Sequence, residues 1–178
     1  MLLAWGHFAA GITAMTTKDA ILYNLRFSGG MLDMLTADLS RQDLHHRVVP
    51  ESNAAAWTLG HLILTERSLL KRLGVGEDQM PGLPSPDFAA RYARDESAPR
   101  ASSYPEAQEL AGLFKEHRAA LVDAVKASDE ALLDQPLDPP TRIARTLGEL
   151  ILFMGLHVAM HAGQVSTIRR TLGRPPVV

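Results

Sequence analysis

Four long stretches of the chain repeat apolar side chains at spacings of three and four residues, the period of an α-helix that buries one face. They cover residues 17–39, 53–73, 104–128 and 146–172. The sequence contains no convincing strand pattern and no internal repeat. Four helices of similar length in a chain of 178 residues predict an all-α fold, a single four-helix bundle closed around one apolar seam.

Local signals mark where these helices begin and end. Asn53 is the expected N-cap of the second helix, and Gly74 is expected to stop it. Thr146 is the expected N-cap of the fourth helix, and Glu149 three residues later completes a capping-box pattern. The third helix is expected to begin at Tyr104, directly after a pair of serines.

The connection between the second and third helices, residues 74–103, contains four prolines and three glycines and reads as irregular. Such a length is unusual for a loop in a compact domain. It predicts either an overhand crossover between parallel neighbouring helices or a lid.

Composition narrows the classes of function. A net charge of −2 gives no broad electrostatic case for binding nucleic acid or an anionic membrane. The absence of cysteine excludes disulfides, thiolate metal ligands and a cysteine nucleophile, so any thiol chemistry must use a thiol carried by a substrate. Residues 1–16 are an apolar arm or a mis-called start, and residues 17–178 form one domain. No Lys or Arg precedes Lys18, so the secretory pattern is missing and a cytoplasmic protein is expected.

The fourth helix carries two histidines on its inward stripe. His157 and His161 take apolar positions between Met154 and Val165, and their i, i+4 spacing points both rings the same way. Buried imidazoles need partners, and a divalent metal ion accepts a lone pair from each. The alternative is that each ring bonds a backbone carbonyl or a neighbour. The residue after His157 is Val158 and not glutamate, so the sequence does not match H-E-x-x-H, the motif in which the glutamate is a general base.

A metal site needs a further ligand, and spacing alone leaves two candidates. His61 lies on the apolar face of the second helix, one turn after Trp57, which is expected to be pocket wall or core. His117 lies on the apolar seam of the third helix. Gln164, three residues after His161, is placed to hydrogen-bond a ligand or a group that supports one.

Two short motifs give the chain a resemblance to a known family. "WTLGHL" at residues 57–62 and "HVAMHAGQ" at residues 157–164 resemble the second-helix and fourth-helix signatures of the DinB-like superfamily of metal-binding four-helix bundles. "IRRTLGRPP" at residues 168–176 resembles the ending that follows them. The resemblance implies an up-down-down-up bundle with its crossover between helices 2 and 3. It also implies one Zn, Ni, Mn or Fe ion on His61, His157 and His161, with His117 supporting the site or the core.

The same resemblance suggests what the site does. It implies a thiol-dependent transferase that uses a low-molecular-weight thiol, with a metal-dependent hydrolase as the close competitor. A non-catalytic, stress-related metal-binding bundle is the alternative from a different class. The resemblance also implies a homodimer that acts on a small-molecule substrate, with no nucleic acid or membrane partner. A coordination sphere closed by His117 would favour the non-catalytic role, and an open position would favour an enzyme.

Overall fold

The computed structural model describes residues 14–93 and 103–177, and within them the chain is helical. The all-α prediction is therefore confirmed. The helices are α1 (Thr17–Thr36), α2 (Arg41–His45), α3 (Ala55–Arg72), α4 (Phe88–Tyr92), α5 (Leu110–Ala127), α6 (Glu130–Leu133) and α7 (Leu147–Thr171). The predicted arm, residues 1–16, lies largely outside the described residues, which include only its last three positions.

The four long helices form a ring in which α1 packs on α7 and α5, and α3 packs on α5 and α7. α1 and α7 run parallel, because Asn24 donates to the carbonyl of Leu152 near one end of the pair and Arg169 donates to that of Leu35 near the other. α1 and α5 run antiparallel, since Lys18 near the start of α1 reaches the carbonyl of Ser128.

α3 is antiparallel to α7, because Leu70 near its end shares an apolar cluster with Leu147 and Ile151 near the start of α7. It is therefore parallel to α5. The result is the up-down-down-up order, with the long connection joining the two parallel helices α3 and α5, as an overhand crossover requires.

The first helix is shorter than predicted, and a separate short helix follows it. α1 ends at Thr36 rather than at residue 39, and α2 begins at Arg41. Ser40 and Asp43 form a reciprocal capping box that starts α2 and so prevents one continuous helix. Leu39 is buried as the apolar pattern predicts, but in the turn between the helices.

Two predicted helix starts were wrong. α5 begins at Leu110 instead of residue 104, because the backbone N–H of Tyr104 donates to Nε2 of His45, which holds the preceding chain against α2. Residues 105–109 form turns. α3 begins at Ala55 with Ala54 as its N-cap residue, so Asn53, the predicted N-cap, lies one residue too early.

Other predicted ends are correct. Thr146 caps α7 by accepting from the backbone N–H of Glu149 at 3.2 Å, although the Glu149 carboxylate turns back to the N–H of Arg145 rather than to that of Thr146. Gly74 follows the end of α3 with φ of +82°, a left-handed conformation that favours glycine.

The connection after α3 is not wholly irregular, since it contains a 3₁₀ turn (Glu77–Gln79) and the short helix α4. α4 packs directly on α3, where a Cβ at Gly60 would overlap the ring of Tyr92. Burial raises the pKa of the Tyr92 phenol, whose ring also stacks on Tyr104 with centroids 5.4 Å apart. Gly60 thus permits the close contact that anchors the crossover.

A buried polar layer divides the core into two apolar clusters. Glu66 of α3 and Arg118 of α5 form an ion pair there, with 1% and 7% of their side chains exposed. Arg118 also donates to the carbonyl of Leu25 at 2.7 Å and to Oγ of Ser28 at 3.2 Å, so it joins α5 to α1 as well. Gly29 makes room for it, because a Cβ there would lie 3.2 Å from Cγ of Arg118.

α7 is long and apolar enough to cross a membrane by length and composition, with a mean hydropathy of 1.3 in its most apolar window. In this structure it is a wall of the bundle, and Val158, Val165 and Ile168 are buried against the other helices. Core packing therefore explains why the side of α7 that faces the other helices is apolar.

We expect Gly60→Ala to lower the free energy of unfolding by about 1–3 kcal/mol, because the added methyl must displace the Tyr92 ring in a packed interior. The matched control is Gly112→Ala in α5, where nothing lies within 4 Å of the new Cβ. That exposed helical substitution should stabilise by roughly 0.5–1 kcal/mol. Urea denaturation measures both, and equal effects would contradict the close contact at Gly60.

We expect Arg118→Met to destabilise by about 3–5 kcal/mol, because it leaves the Glu66 carboxyl buried without its cation. Burial already raises the pKa of Glu66, and the Arg118 charge opposes that rise. Adding Glu66→Leu should recover much of the loss, since an apolar pair of similar volume carries no desolvation penalty. A double variant no more stable than Arg118→Met would show that the pair does not act as a unit.

Candidate metal centre

Three histidines from two antiparallel helices meet on the α3/α7 side of the bundle. His61 comes from α3, and His157 and His161 come from adjacent turns of α7. Each ring offers one nitrogen, and these three nitrogens all lie within 4.8 Å of one another. His161 is buried, and the other two are half-buried. The spacing along α7 brings two rings together, and the packing of α3 supplies the third.

Aromatic rings support two of the histidines. The Trp57 ring stacks on His61 with a centroid distance of 4.8 Å and an angle of 5° between the ring planes. The Phe153 ring is stacked beside His157 at 6.2 Å and 13°. Trp57, predicted as pocket wall or core, is half-buried and lies directly against the group. Phe153 was missed by sequence reasoning, although its i, i+4 spacing before His157 was available as a signal.

Gln164 determines which nitrogen of His161 is available. Nδ1–H of His161 donates to Oε1 of Gln164 at 2.9 Å, so Nε2 carries the lone pair. That Nε2 lies 3.0 Å from Nε2 of His157. Burial lowers the pKa of the His161 imidazole, with the Gln164 bond acting in the opposite direction, so the neutral ring that a metal ion requires is favoured.

His117, the other candidate that spacing allowed, lies elsewhere. Its ring is fully buried in α5, where Nδ1–H donates to the carbonyl of Leu113 at 2.8 Å and Nε2 lies 3.4 Å from Nη1 of Arg67. It therefore supports the core beside α3 and is outside the three-histidine group.

Two further histidines are also tied into the fold by hydrogen bonds. His45 accepts from the N–H of Tyr104, and His46 lies 3.1 Å from the hydroxyl of Thr171. Both are half-buried where α2 meets the rest of the bundle.

No Asp or Glu belongs to the three-histidine group within residues 14–93 and 103–177. Glu66, the nearest carboxylate along α3, is turned to Arg118. Glu149 is occupied by the backbone and side chain of Arg145 at the start of α7. The group therefore presents three imidazole donors and no carboxylate.

The small residues at positions 28–30 were expected either to open a pocket or to permit close helix approach. Ser28 and Gly29 are buried against Arg118, whereas Gly30 is exposed. Gly29 and Gly30 also line a cleft of about 340 Å³ between α1 and α5. That cleft lies on the side of the bundle opposite the histidines, because α1 and α5 face away from the α3/α7 pair.

The sequence matches the model of the DinB superfamily over residues 24–165. The chain belongs to the DinB superfamily. The matched range contains the three histidines and both motifs that suggested the resemblance. A comparison with curated protein sequences finds no match.

The fold is similar to that of YfiT from Bacillus subtilis, which is described as a probable metal-dependent hydrolase with an unusual four-helix bundle topology. The two structures align with a TM-score of 0.64 over 96% of this chain and 97% of YfiT, at 14% sequence identity. At that identity the likeness establishes the four-helix architecture of this member of the superfamily and nothing finer.

We expect the free energy of unfolding of the metal-free protein to fall as the pH is lowered through and below ~6.5, the ordinary pKa of histidine. Burial lowers the pKa of both His117 and His161 in the folded protein, so the unfolded chain binds more protons in that range. Denaturation at several pH values after chelation measures the slope. His117→Gln should flatten it, and an unchanged slope in that variant would contradict a depressed pKa at His117.

Proposed function

We propose that this chain is a divalent-metal-dependent enzyme whose ion, Zn, Ni, Mn or Fe, is held by His61, His157 and His161. The observation that carries the proposal is that three imidazole nitrogens, from two different helices, lie within 4.8 Å of one another. Neutral imidazole is a common ligand for these metals. Gln164 supports the proposal, because metal-bound histidines usually donate their second N–H to such a group.

The composition of the group favours catalysis over a purely structural role. Three protein ligands are typical of catalytic sites, whereas structural sites use four. His117 is bonded elsewhere and does not close the coordination sphere. With neutral ligands only, a bound divalent ion keeps its full charge and supplies Lewis acidity toward water, a thiol or a carbonyl oxygen.

Hydrolysis is the reaction class that we propose first. YfiT, which shares the architecture, is described as a probable metal-dependent hydrolase, and that description supports the same class here. In this chain, Gln164 would hold the tautomer of His161, and the Trp57 and Phe153 rings would fix the orientations of His61 and His157. These residues would therefore position the ligands.

Thiol-dependent transfer is the second candidate, and one feature favours it. The histidine group contains no carboxylate to accept a proton from water. A low-molecular-weight thiol, with an ordinary pKa of ~8.5, loses its proton far more readily than water does. Since the chain has no cysteine, such a thiol would enter as a cosubstrate. The displacement would form a bond from sulfur to an electrophilic carbon, break the bond to a leaving group, and release the thiol proton.

The surroundings of the group indicate the kind of substrate. α7 carries no charged residue from position 150 to position 168, and the nearest rings are those of Trp57 and Phe153. We therefore propose a small, largely apolar molecule with one electrophilic centre, acted on in the cytoplasm without nucleic acid or membrane.

We expect about one divalent ion per purified chain by elemental analysis, and loss of that ion in His157→Ala with most of the helicity retained. His117→Gln is the matched control, because it removes a buried histidine outside the group and should keep the metal. Full occupancy in His157→Ala, or loss in His117→Gln, would show that the ligand set is wrong.

The reaction class is tested with metal-loaded protein on panels of esters, amides and thiol-reactive electrophiles, the last with and without added thiol. Turnover that is abolished by His157→Ala supports the enzyme, and dependence on added thiol selects transfer over hydrolysis. If the metal raises the melting temperature of the protein but none of the substrates is turned over, the non-catalytic bundle is supported instead.

A further inference from the structure

The cleft between α1 and α5 takes no part in the proposed chemistry. It has a volume of about 340 Å³, and it lies on the side of the bundle opposite the histidine group. Sites for small molecules begin at roughly 300 Å³. Gly29 and Gly30 line its α1 wall, and a Cβ at Gly30 would meet nothing within 4 Å. The cleft is therefore open where α1 lacks side chains, and it is large enough for a small molecule.

The packing of α1 on α5 determines which lining residues face each other. Ser28 of α1 lies level with Arg118 of α5, because their side chains are hydrogen-bonded at 3.2 Å. The two helices are antiparallel, so Asp33, further along α1, lies level with the part of α5 that precedes Arg118, where Lys115 lines the cleft. Arg26 precedes Ser28 and lies toward the opposite end. The cleft therefore has one end at Arg26 and the other end at Asp33 and Lys115.

The base of the cleft combines apolar surface with an unused hydrogen-bond donor. Phe114 and Val122 are buried and line it from α5, and the guanidinium carbon of Arg118 lies 5.3 Å from the centre of the Phe114 ring. Both terminal nitrogens of Arg118 are bonded to α1 or α3, but its buried Nε has no partner in the part of the chain that the structure describes. That Nε lies 4.0 Å from the position of a Cβ at Gly29. The base therefore suits the apolar part of a ligand and keeps one N–H donor beside Gly29.

The charged side chains around the cleft leave one formal positive charge unbalanced. Apart from Arg118, whose charge is paired with Glu66, three cations and two carboxylates line the cleft. They are Arg26, Lys115, Lys126, Asp33 and Asp123. Lys126 bonds Asp123 at 2.7 Å. Among residues 14–93 and 103–177, the other three side chains form no hydrogen bond and no ion pair. The cleft therefore presents a surplus of positive charge that the fold does not neutralise.

We propose that this cleft binds a small organic monocarboxylate, with the carboxylate at the Arg26 end and the apolar part over Gly29 and Gly30. A monoanion balances a single surplus positive charge, whereas a phosphate dianion exceeds it and a cation is repelled. The Asp33 carboxylate disfavours an anion at the other end. At the Arg26 end, a carboxylate accepts charge-assisted hydrogen bonds from the planar guanidinium. The site lies apart from the histidine group, so it goes beyond the proposed function and does not rest on it.

Isothermal titration calorimetry with hexanoate and benzoate tests the proposal on the full purified chain. We expect each carboxylate to bind at a single site with a dissociation constant of about 0.1–1 mM, a range typical of ligands with few atoms. Phosphate and hexylamine should bind about tenfold more weakly or less, because their charges do not match that of the cleft. The absence of binding by both carboxylates, or tighter binding of phosphate or hexylamine, would overturn the proposal.

Two substitutions remove the proposed contacts, and each has a matched control. Gly30→Leu places a side chain in the open part of the cleft, so it should weaken hexanoate binding about tenfold or more while circular dichroism stays unchanged. Gly163→Leu is its control, because Gly163 is an exposed helical glycine of α7 with nothing within 4 Å of a new Cβ. Arg26→Gln should weaken binding about tenfold, whereas Arg72→Gln removes an exposed cation of α3 and should not. Unchanged binding in Gly30→Leu or in Arg26→Gln would contradict the assignment.

Carboxylates also bind metal ions, and His157→Ala separates the cleft from the histidine group. Hexanoate binding should be the same in that variant, because the cleft lies on the other side of the bundle. In ¹H–¹⁵N spectra, we expect the largest changes on adding hexanoate at the amides of Gly29 and Gly30, with little change at Gly163. Loss of binding in His157→Ala, or the largest changes on α7, would place the carboxylate at the histidine group and overturn the proposal.

Discussion

The buried ion pair between Glu66 and Arg118 is the interaction on which the arrangement of the bundle depends. Apolar side chains alone tolerate many registers between neighbouring helices, since hydrophobic contact is not directional. A buried carboxyl and guanidinium tolerate few, because each must meet its partner or carry a large desolvation penalty. Arg118 also bonds the carbonyl of Leu25 and the hydroxyl of Ser28, so one side chain fixes α5 against both α3 and α1. Gly29 leaves the space that the Arg118 side chain occupies beside α1.

That register has a consequence on the other side of α3. His61 lies five residues before Glu66, about 140° away around the helix, so the face turned to α7 is fixed when Glu66 is fixed toward α5. The hydrogen bonds of Asn24 and Arg169 join α1 to α7 and fix the position of α7 along the bundle axis. They therefore also fix the level at which His157 and His161 lie. The three imidazoles therefore converge because polar contacts elsewhere hold the helices that carry them. A preorganised set of neutral ligands is what an open metal site requires.

α7 combines three roles on one helix. Its inner side belongs to the core, its α3 side carries two histidines, and its outer side exposes Leu152, Leu156 and Met160. The mean hydropathy of α7 is high because apolar residues lie on both its inner and its outer side. Gly155 serves the contact with α1, since any Cβ at that position would overlap the side chain of Asn24. The histidines, the core contacts and the contact with α1 thus share one helix.

The sequence by itself determined the helical class, the four long helices and the family motifs, because apolar period, caps and short motifs are local properties of the chain. It also determined that His157 and His161 lie together, since a helix fixes the i, i+4 relation. Spacing alone could not choose between His61 and His117, because both lie on apolar faces; the family motif favoured His61, and the packing of α3 and α5 decides which of the two reaches α7. The sequence did not predict the role of Arg118, whose partners lie 52 and 93 residues away. Tertiary structure decided these points, because a buried polar side chain must bond a partner, and the packing of the neighbouring helices determines which partner is within reach.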